Sequence, residues 1–281
     1  MLLRNGEFGD RLKQILDQYE IPYIDVEFKW ADAIDLEKVK EALENHPEVK
    51  CIHVVFHETS TSMINDIEGV GALAHQYDKL LHVDCVSAAG GQKINVNRMN
   101  ITFATSVGGK AVGAYPGTAY VCAKEEILKT LSPEMGRNVY LNLARHYRKA
   151  AEKNQTPNTP NVPLFFALNE ALTIILNEEG LDNRISRYKE DAHILREGLK
   201  AMGLKFLLPE SQMSNTVTSV FLPTDKKADD FIAALECEGY TVYAGKGELY
   251  GMNMIQVANM GEIYPDDCRE FLKVFRRVLE A

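Results

Sequence analysis

Short apolar runs alternate with amphipathic segments along the first half of the chain. Continuous or alternating apolar positions predict β-strands over residues 49–56, 80–83, 102–106 and 118–122. Apolar positions at helical spacing predict helices over residues 35–44 and 67–77. This alternation predicts an α/β layer built on a mainly parallel sheet, with ligands gathered at the carboxyl ends of its strands.

The pattern changes after residue 122. Three prolines between residues 155 and 163 predict an extended loop, because proline cannot continue a helix. A helix ending near Glu179 and a long helix through Ile185 and Leu199 are predicted next. The remaining predicted elements are a strand over residues 217–222, a helix over 228–238, strands near Tyr240 and Ile255, and a helix opening at Pro265. We therefore expect a large domain over residues 1–160 and, over residues 161–281, a helical linker with a smaller α+β domain.

The amino-acid composition indicates which classes of partner the protein is expected to bind and which it is not. The chain has 281 residues, 46% hydrophobic and 25% charged, with a formal net charge of −9. An acidic surface repels nucleic-acid phosphates and offers no basic patch to anionic lipids, so we expect neither nucleic acid nor membrane as a partner. The five cysteines are widely spaced without a CxxC pair, which favours neither a metal site nor a disulfide framework. The first residues have no signal-peptide pattern, which predicts a cytoplasmic protein.

Two ionisable residues lie at the predicted ends of apolar strands. Asp84 closes the run LLHVD, and Lys110 follows TFATSVGG. Either residue alone is typical of an ordinary turn or a solvated loop. Together they match the needs of pyridoxal phosphate (PLP) chemistry, in which a lysine holds the cofactor as a Schiff base and a carboxylate keeps the pyridine nitrogen protonated. We therefore predict PLP as cofactor, with Lys110 partly buried beside it.

Other motifs are weaker. The segment HETSTS, residues 57–62, offers Thr59 and its neighbours as hydroxyl donors after a strand, and an ordinary turn that caps the next helix explains it equally well. His53 and His57 are expected to be structural rather than metal ligands. The run GVGALA, residues 69–74, matches a dinucleotide fingerprint but lies inside a helical pattern, so it is not interpreted as one.

The order and spacing of four segments resemble the class V aminotransferases, a family of fold-type I PLP enzymes. These segments are NGEFGDR (5–11), HETSTS (57–62), HVDCVSAAGG (82–91) and SVGGKAVGAYPG (106–117). Within the family the chain most resembles 2-aminoethylphosphonate–pyruvate transaminases, on Gly109 before the lysine and on GY, VY and GK pairs in residues 239–246. The resemblance runs from about Asn5 to the C-terminus, and it implies the fold-type I architecture.

The resemblance also implies roles for individual residues. Lys110 would be the Schiff-base lysine and Asp84 the partner of the pyridine nitrogen. The other implied positions are Thr59 at the cofactor's phenolic oxygen, Val86 and Phe8 against its ring, and Thr159 at the cofactor phosphate of a neighbouring subunit. Because family members are homodimers with shared active sites, the resemblance implies a homodimer.

The sequence departs from the family pattern in two places. Family members begin earlier, with a loop that cradles the PLP phosphate, and this segment is expected to be missing because Met1 falls just before NGEFGDR. They also bind the substrate's acid group with an arginine near the C-terminus, where this chain has Gln256. Gln256 is therefore the implied substrate-binding residue, with a weaker hold on an acid group.

Three hypotheses for function follow. The first is transfer of an amino group from 2-aminoethylphosphonate, or a similar small amine, to the 2-oxo acid pyruvate. The second is another class V activity, such as alanine–glyoxylate transamination or a lyase reaction. The third is a catalytically inert remnant, or a subunit that only contributes Thr159 to a partner.

Overall fold

The computed structural model describes the backbone of residues 1–281 and every side chain except those of Met135 and Glu178. The first half contains β1 (Leu2–Arg4), α1 (Glu7–Gln18), β2 (Asp25–Glu27), α2 (Leu36–Asn45), β3 (Cys51–Val55), β4 (His57–Glu58), β5 (Met63–Ile64), α3 (Ile67–Gln76), β6 (Leu80–Asp84), β7 (Phe103–Val107) and β8 (Ala119–Ala123). The second half contains α4 (Glu125–Thr130), α5 (Leu143–Lys153), α6 (Val162–Thr173), α7 (Leu181–Ala201), β9 (Lys205–Phe206), β10 (Val217–Phe221), α8 (Ala228–Cys237), β11 (Tyr243–Ala244), β12 (Met254–Ala258) and α9 (Pro265–Glu280).

The first half is an α/β layer, which confirms the predicted fold class. Its sheet has six strands in the order β2-β1-β3-β6-β7-β8, and every pair is parallel except β7 with β8. The central strands β3 and β6 alternate buried and half-buried positions, and their buried side chains pack with those of α2 and α3 in one apolar core. The predicted strands and helices between residues 35 and 123 are all present.

The second half builds a separate antiparallel sheet in the order β11-β12-β10-β9. Helices α7, α8 and α9 pack on it around a second apolar core that includes Leu199, Leu235 and Phe275. Two of the three helices begin as predicted: α8 at Ala228 and α9 at Pro265. The division of the chain at residue 160 stays a prediction, and the two sheets lie on either side of it.

Several elements differ from the sequence-based expectations. β1, α1 and β2 were not predicted, because three-residue strands are too short to show a period and Gly9 interrupts the apolar stripe of α1. The strand expected near Tyr240 is β11, a few residues later. The run GVGALA lies inside α3, as interpreted from its pattern. Among the described residues, no helix combines the length and apolar character needed to cross a bilayer.

Candidate active site

The carboxyl ends of β3, β6 and β7 meet at one edge of the large sheet. The parallel register pairs Val55 with Asp84, and Asp84 with Thr105. The turns that follow these three strands carry residues 57–62, 85–91 and 108–117, which include Thr59, Val86 and Lys110. Sheet topology therefore brings together segments that are far apart in the chain, at the edge where α/β proteins bind ligands.

Asp84 is the last residue of β6 and is half-buried. Its Oδ1 accepts a hydrogen bond of 2.8 Å from the Val86 N–H, which fixes the carboxylate over the turn. Burial raises the pKa of Asp84, while this hydrogen bond and the charge of Arg11 act in the opposite direction. The result is a carboxylate held in a fixed orientation in a partly dry environment.

Glu58 and Ser60 tie the start of α1 to the turn that carries Thr59. The buried Glu58 carboxylate accepts hydrogen bonds from the N–H groups of Phe8 and Gly9, at 3.1 and 3.2 Å. Ser60 Oγ accepts the N–H of Glu7 at 3.1 Å, so two side chains cap this helix in place of a local N-cap. Phe8 and the buried Thr59 are thereby fixed in neighbouring positions.

A cavity of about 260 Å³ joins several of these groups. Its lining includes Phe8, Asp84 and Val86 from the predicted set, together with Arg11 and His57. The Arg11 guanidinium lies 4.7 Å from the centre of the Phe8 ring and covers one of its faces. The structure thus gathers the predicted ring-contacting residues around one space large enough for an aromatic ring.

His57 adds an unpartnered polar atom to this cavity. Its Nδ1 lies 3.0 Å from the Ser87 carbonyl oxygen, which can only accept, so Nδ1 carries the proton. Nε2 is buried and has no hydrogen-bond partner within the part of the chain that the structure describes. Burial and, to a smaller extent, the charge of Lys110 lower the pKa of His57 to about 4, against the hydrogen bond to Ser87, which raises it. Nε2 is therefore a bare acceptor in the site.

Lys110 lies in the turn after β7 and its side chain is exposed rather than partly buried as expected. The absence of a side chain at Gly109 allows the backbone to approach Pro116 of the same loop. A Cβ at Gly109 would come within 2.8 Å of the Pro116 Cα. The side chain has free space in which to reach a ligand.

Four of the predicted site residues lie outside the cavity lining: Thr59, Lys110, Thr159 and Gln256. Gln256 is buried in β12, and its amide nitrogen donates to the carbonyl oxygens of Thr59 and Ser60 at 2.8 and 3.0 Å and lies 3.0 Å from the Ser219 hydroxyl. It therefore joins the small sheet to the Thr59 turn. Thr159 is exposed on the loop before α6. The roles implied for Gln256 and Thr159 stay predictions.

Sequence reasoning did not identify Arg11 as part of this site, and it assigned His57 a purely structural role. A histidine directly before the conspicuous ETSTS run was the available signal for His57. Arg11 shared the NGEFGDR segment with Phe8, but only the fold of α1 brings its charge near Asp84.

The residues present fit the ring end of PLP. The exposed amine of Lys110, the oriented carboxylate of Asp84 and the apolar surfaces of Phe8 and Val86 supply the chemistry that this cofactor needs. The orphaned Nε2 of His57 marks the space between them as built for a ligand rather than filled by the chain.

Comparison with known proteins agrees with a site that fits PLP. A family model described as aminotransferase class V matches residues 16–261. An uncharacterized aminotransferase of Methanocaldococcus jannaschii is 35% identical over 91% of this chain, which spans 66% of that relative's length. A bifunctional phosphonoacetaldehyde hydrolase/aminoethylphosphonate transaminase of Clostridioides difficile is 28% identical over 99% of this chain, which spans 44% of its length.

A solved alanine–glyoxylate aminotransferase from a Nostoc species superposes with a TM-score of 0.91 at 27% identity. The match covers 99% of this chain and 74% of the Nostoc chain. This confirms the predicted fold-type I architecture at the level of the whole chain. The family model covers most of the sequence, and the chain belongs to the class V aminotransferases.

Proposed function

We propose that this chain is a PLP-dependent aminotransferase. The observation that carries the proposal is the place of Asp84 at the end of β6, in a cavity that Phe8 and Val86 also line, with Lys110 in the turn after the neighbouring strand β7. Family membership supports the same reaction class.

Each residue has a distinct task under this proposal. When bound, PLP supplies an electron sink for the carbon next to the substrate's amine. Lys110 would hold the cofactor through its amine and would move a proton at the substrate carbon. Burial raises the pKa of Asp84, whereas the Val86 amide and the Arg11 charge favour its ionised form, which would accept the N–H of a protonated pyridine. Phe8 and Val86 pack against the ring.

The substrate proposed is 2-aminoethylphosphonate, or a similar small amine, with pyruvate as acceptor. A relative from Lactiplantibacillus plantarum with the printed name 2-aminoethylphosphonate–pyruvate transaminase is 26% identical over 98% of this chain, and this supports the choice. Alanine with glyoxylate is the second candidate, favoured by the Nostoc structure. Gln256 is retained as a proposed substrate-binding residue, although its amide nitrogen already donates within the protein.

A homodimer is proposed as the functional assembly. One face of α6 and of the helical segment Ile174–Glu179 that continues it exposes Phe165, Phe166 and Leu176, with 51%, 71% and 66% of each residue accessible. Large apolar side chains clustered on one exposed face are typical of a protein interface. Thr159 lies on the loop directly before this face, so a second copy bound there would receive its hydroxyl.

Transamination of a substrate panel tests the proposed function. The protein supplied with PLP is mixed with 2-aminoethylphosphonate or alanine as donor, and with pyruvate or glyoxylate as acceptor. Amino-group transfer to an acceptor is the expected result. The Asp84→Asn variant should be at least a hundredfold slower, because loss of the carboxylate at the pyridine nitrogen raises the barrier by about 3 kcal/mol. Turnover absent for every pair, with PLP bound, would refute transamination of these substrates.

A further inference from the structure

Helix α7 carries two buried polar side chains that the proposed roles do not use. Arg184 is 2% exposed and Tyr188 is fully buried. They lie one helical turn apart and therefore project from the same face of α7. A buried guanidinium is costly unless it is paired and fully hydrogen-bonded, so its partners indicate what it is for.

Both side chains bind the turn that contains Lys110. Arg184 Nη1 donates to the carbonyl oxygens of Ala111 and Val112, at 3.2 and 3.3 Å. The Tyr188 hydroxyl donates to the same Ala111 oxygen at 3.2 Å. Inside the turn, the Gly113 N–H donates to the Lys110 carbonyl oxygen at 2.9 Å. The backbone on the C-terminal side of Lys110 is thus held by three donors.

Gly90, in the turn after β6, also packs against the turn that contains Lys110. A Cβ at Gly90 would come within 2.8 Å of the Ala111 oxygen, so the two backbones are already in close contact. Ala111 and Val112 are themselves buried. The turn is therefore packed against the Gly90 backbone as well as bound by the two side chains of α7, and it has no room to shift toward Gly90.

The other contacts of the two side chains anchor them to the rest of the molecule. Arg184 pairs with Glu179 at 2.5 Å and with Glu262 at 3.4 Å, which balances its charge. The Tyr188 hydroxyl accepts the N–H of Gly261 at 3.2 Å. Gly261 and Glu262 follow β12, the strand that carries Gln256, so the Lys110 turn is tied to the small sheet as well as to α7.

Building on the proposed function, we propose that Arg184 and Tyr188 are positioning residues that set the backbone of Lys110 for its bond to the cofactor. The lysine side chain is exposed and flexible, so its backbone is the part that the fold can fix. A guanidinium can donate to two carbonyls and two carboxylates together because its N–H groups form a planar fork, whereas the ammonium of lysine cannot.

Arg184→Lys tests this with a matched control, Arg187→Lys. Arg187 lies on the same helix and also pairs with Glu179, but it donates to the Gly261 and Ile263 carbonyls rather than to the Lys110 turn. Its guanidinium also lies over the rings of Tyr188 and Tyr264, where a lysine ammonium still provides a cation. Two readouts are measured: the initial rate at which borohydride traps added PLP on Lys110, located by mass spectrometry, and the hydrogen exchange rate of the Gly113 amide.

Arg184→Lys is expected to slow the trapping about tenfold or more, because a small displacement of a reacting group has effects of this size. Exchange at Gly113 should rise by a similar factor, since the amide that closes the turn loses its support. Arg187→Lys should stay within about twofold of the unchanged protein in both readouts. Tyr188→Phe, which keeps the ring and loses the hydroxyl, should change both in the same direction as Arg184→Lys and serves if that variant fails to fold.

Equal effects of Arg184→Lys and Arg187→Lys on both rates would overturn the positioning role, because general destabilisation of α7 would then explain them. A parent protein that shows no trapped Lys110 would refute the proposed function and the link to the cofactor. In that case the Gly113 exchange rates still decide whether the α7 pair holds the turn, so the two failures are distinguishable.

Discussion

Replacing Gln256 by leucine should destabilise the protein far more than an exposed glutamine-to-leucine change. The Gln256 amide nitrogen donates to two backbone carbonyls and contacts the Ser219 hydroxyl, all within 3.0 Å, in a buried setting. Leucine fills a similar volume but donates nothing, so the Thr59 and Ser60 carbonyl oxygens lose these donors.

The expected cost follows from those contacts. A buried polar group left without its hydrogen-bond partner costs about 1–3 kcal/mol. The two carbonyl groups belong to the same turn, which can relax once for both, so their costs do not simply add and we expect about 2–4 kcal/mol in total. Urea unfolding at pH 7 measures this through the shift in midpoint at constant slope. Gln14→Leu, at an exposed position on α1, is the matched control and should change the free energy of unfolding by less than about 0.5 kcal/mol.

A second readout separates stability from the site. Gln256 fixes the turn that carries Thr59, so Gln256→Leu should also weaken PLP binding in the folded protein. An equal midpoint shift for Gln256→Leu and Gln14→Leu would refute the reasoning, since it would mean that the hydrogen bonds from β12 to the Thr59 turn contribute nothing measurable.

Three further predictions concern the fold, its titration and its assembly. Burial lowers the pKa of His82 to about 4, so on acidification this histidine is protonated in the unfolded chain before it is protonated in the folded protein. Protonation of the unfolded chain removes stability from the unchanged protein but not from His82→Asn. The loss of stability caused by His82→Asn should therefore be about 3 kcal/mol smaller at pH 4 than at pH 7, as measured by urea unfolding at each pH. Gly71→Ala should destabilise the protein by about 2–3 kcal/mol in thermal unfolding, because a Cβ there would come within 2.0 Å of the Met99 carbonyl oxygen. In the control Gly69→Ala, the new Cβ faces only the ends of side chains, so this change should be nearly neutral. Phe166→Asp should convert the proposed dimer to monomer in sedimentation analysis, and Val96→Asp, at another exposed apolar residue, should not.

The sequence predicts the sheet-forming strands around the site because their apolar runs and flanking helices have distinct periods. It also predicts Asp84 and Lys110, since an ionisable residue at a strand end is visible in the local pattern. The contacts of Gln256 with the Thr59 turn cross 197 positions of the chain, and no local period records them. In the sequence, nothing distinguishes Arg184 from the other polar residues of a long helix. Only the packing of α7 against the Lys110 turn shows why it is buried.

The central claim is that Lys110 holds PLP at the edge where β6 and β7 end. Added PLP should give a visible absorbance band that borohydride abolishes, and mass spectrometry should then place the reduced cofactor on Lys110. Lys110→Ala should give neither the band nor a labelled peptide, while Lys93→Ala, which removes another exposed lysine, should leave both unchanged. A Lys110→Ala protein that keeps the same band, with the label on another residue, would contradict the assignment of this site.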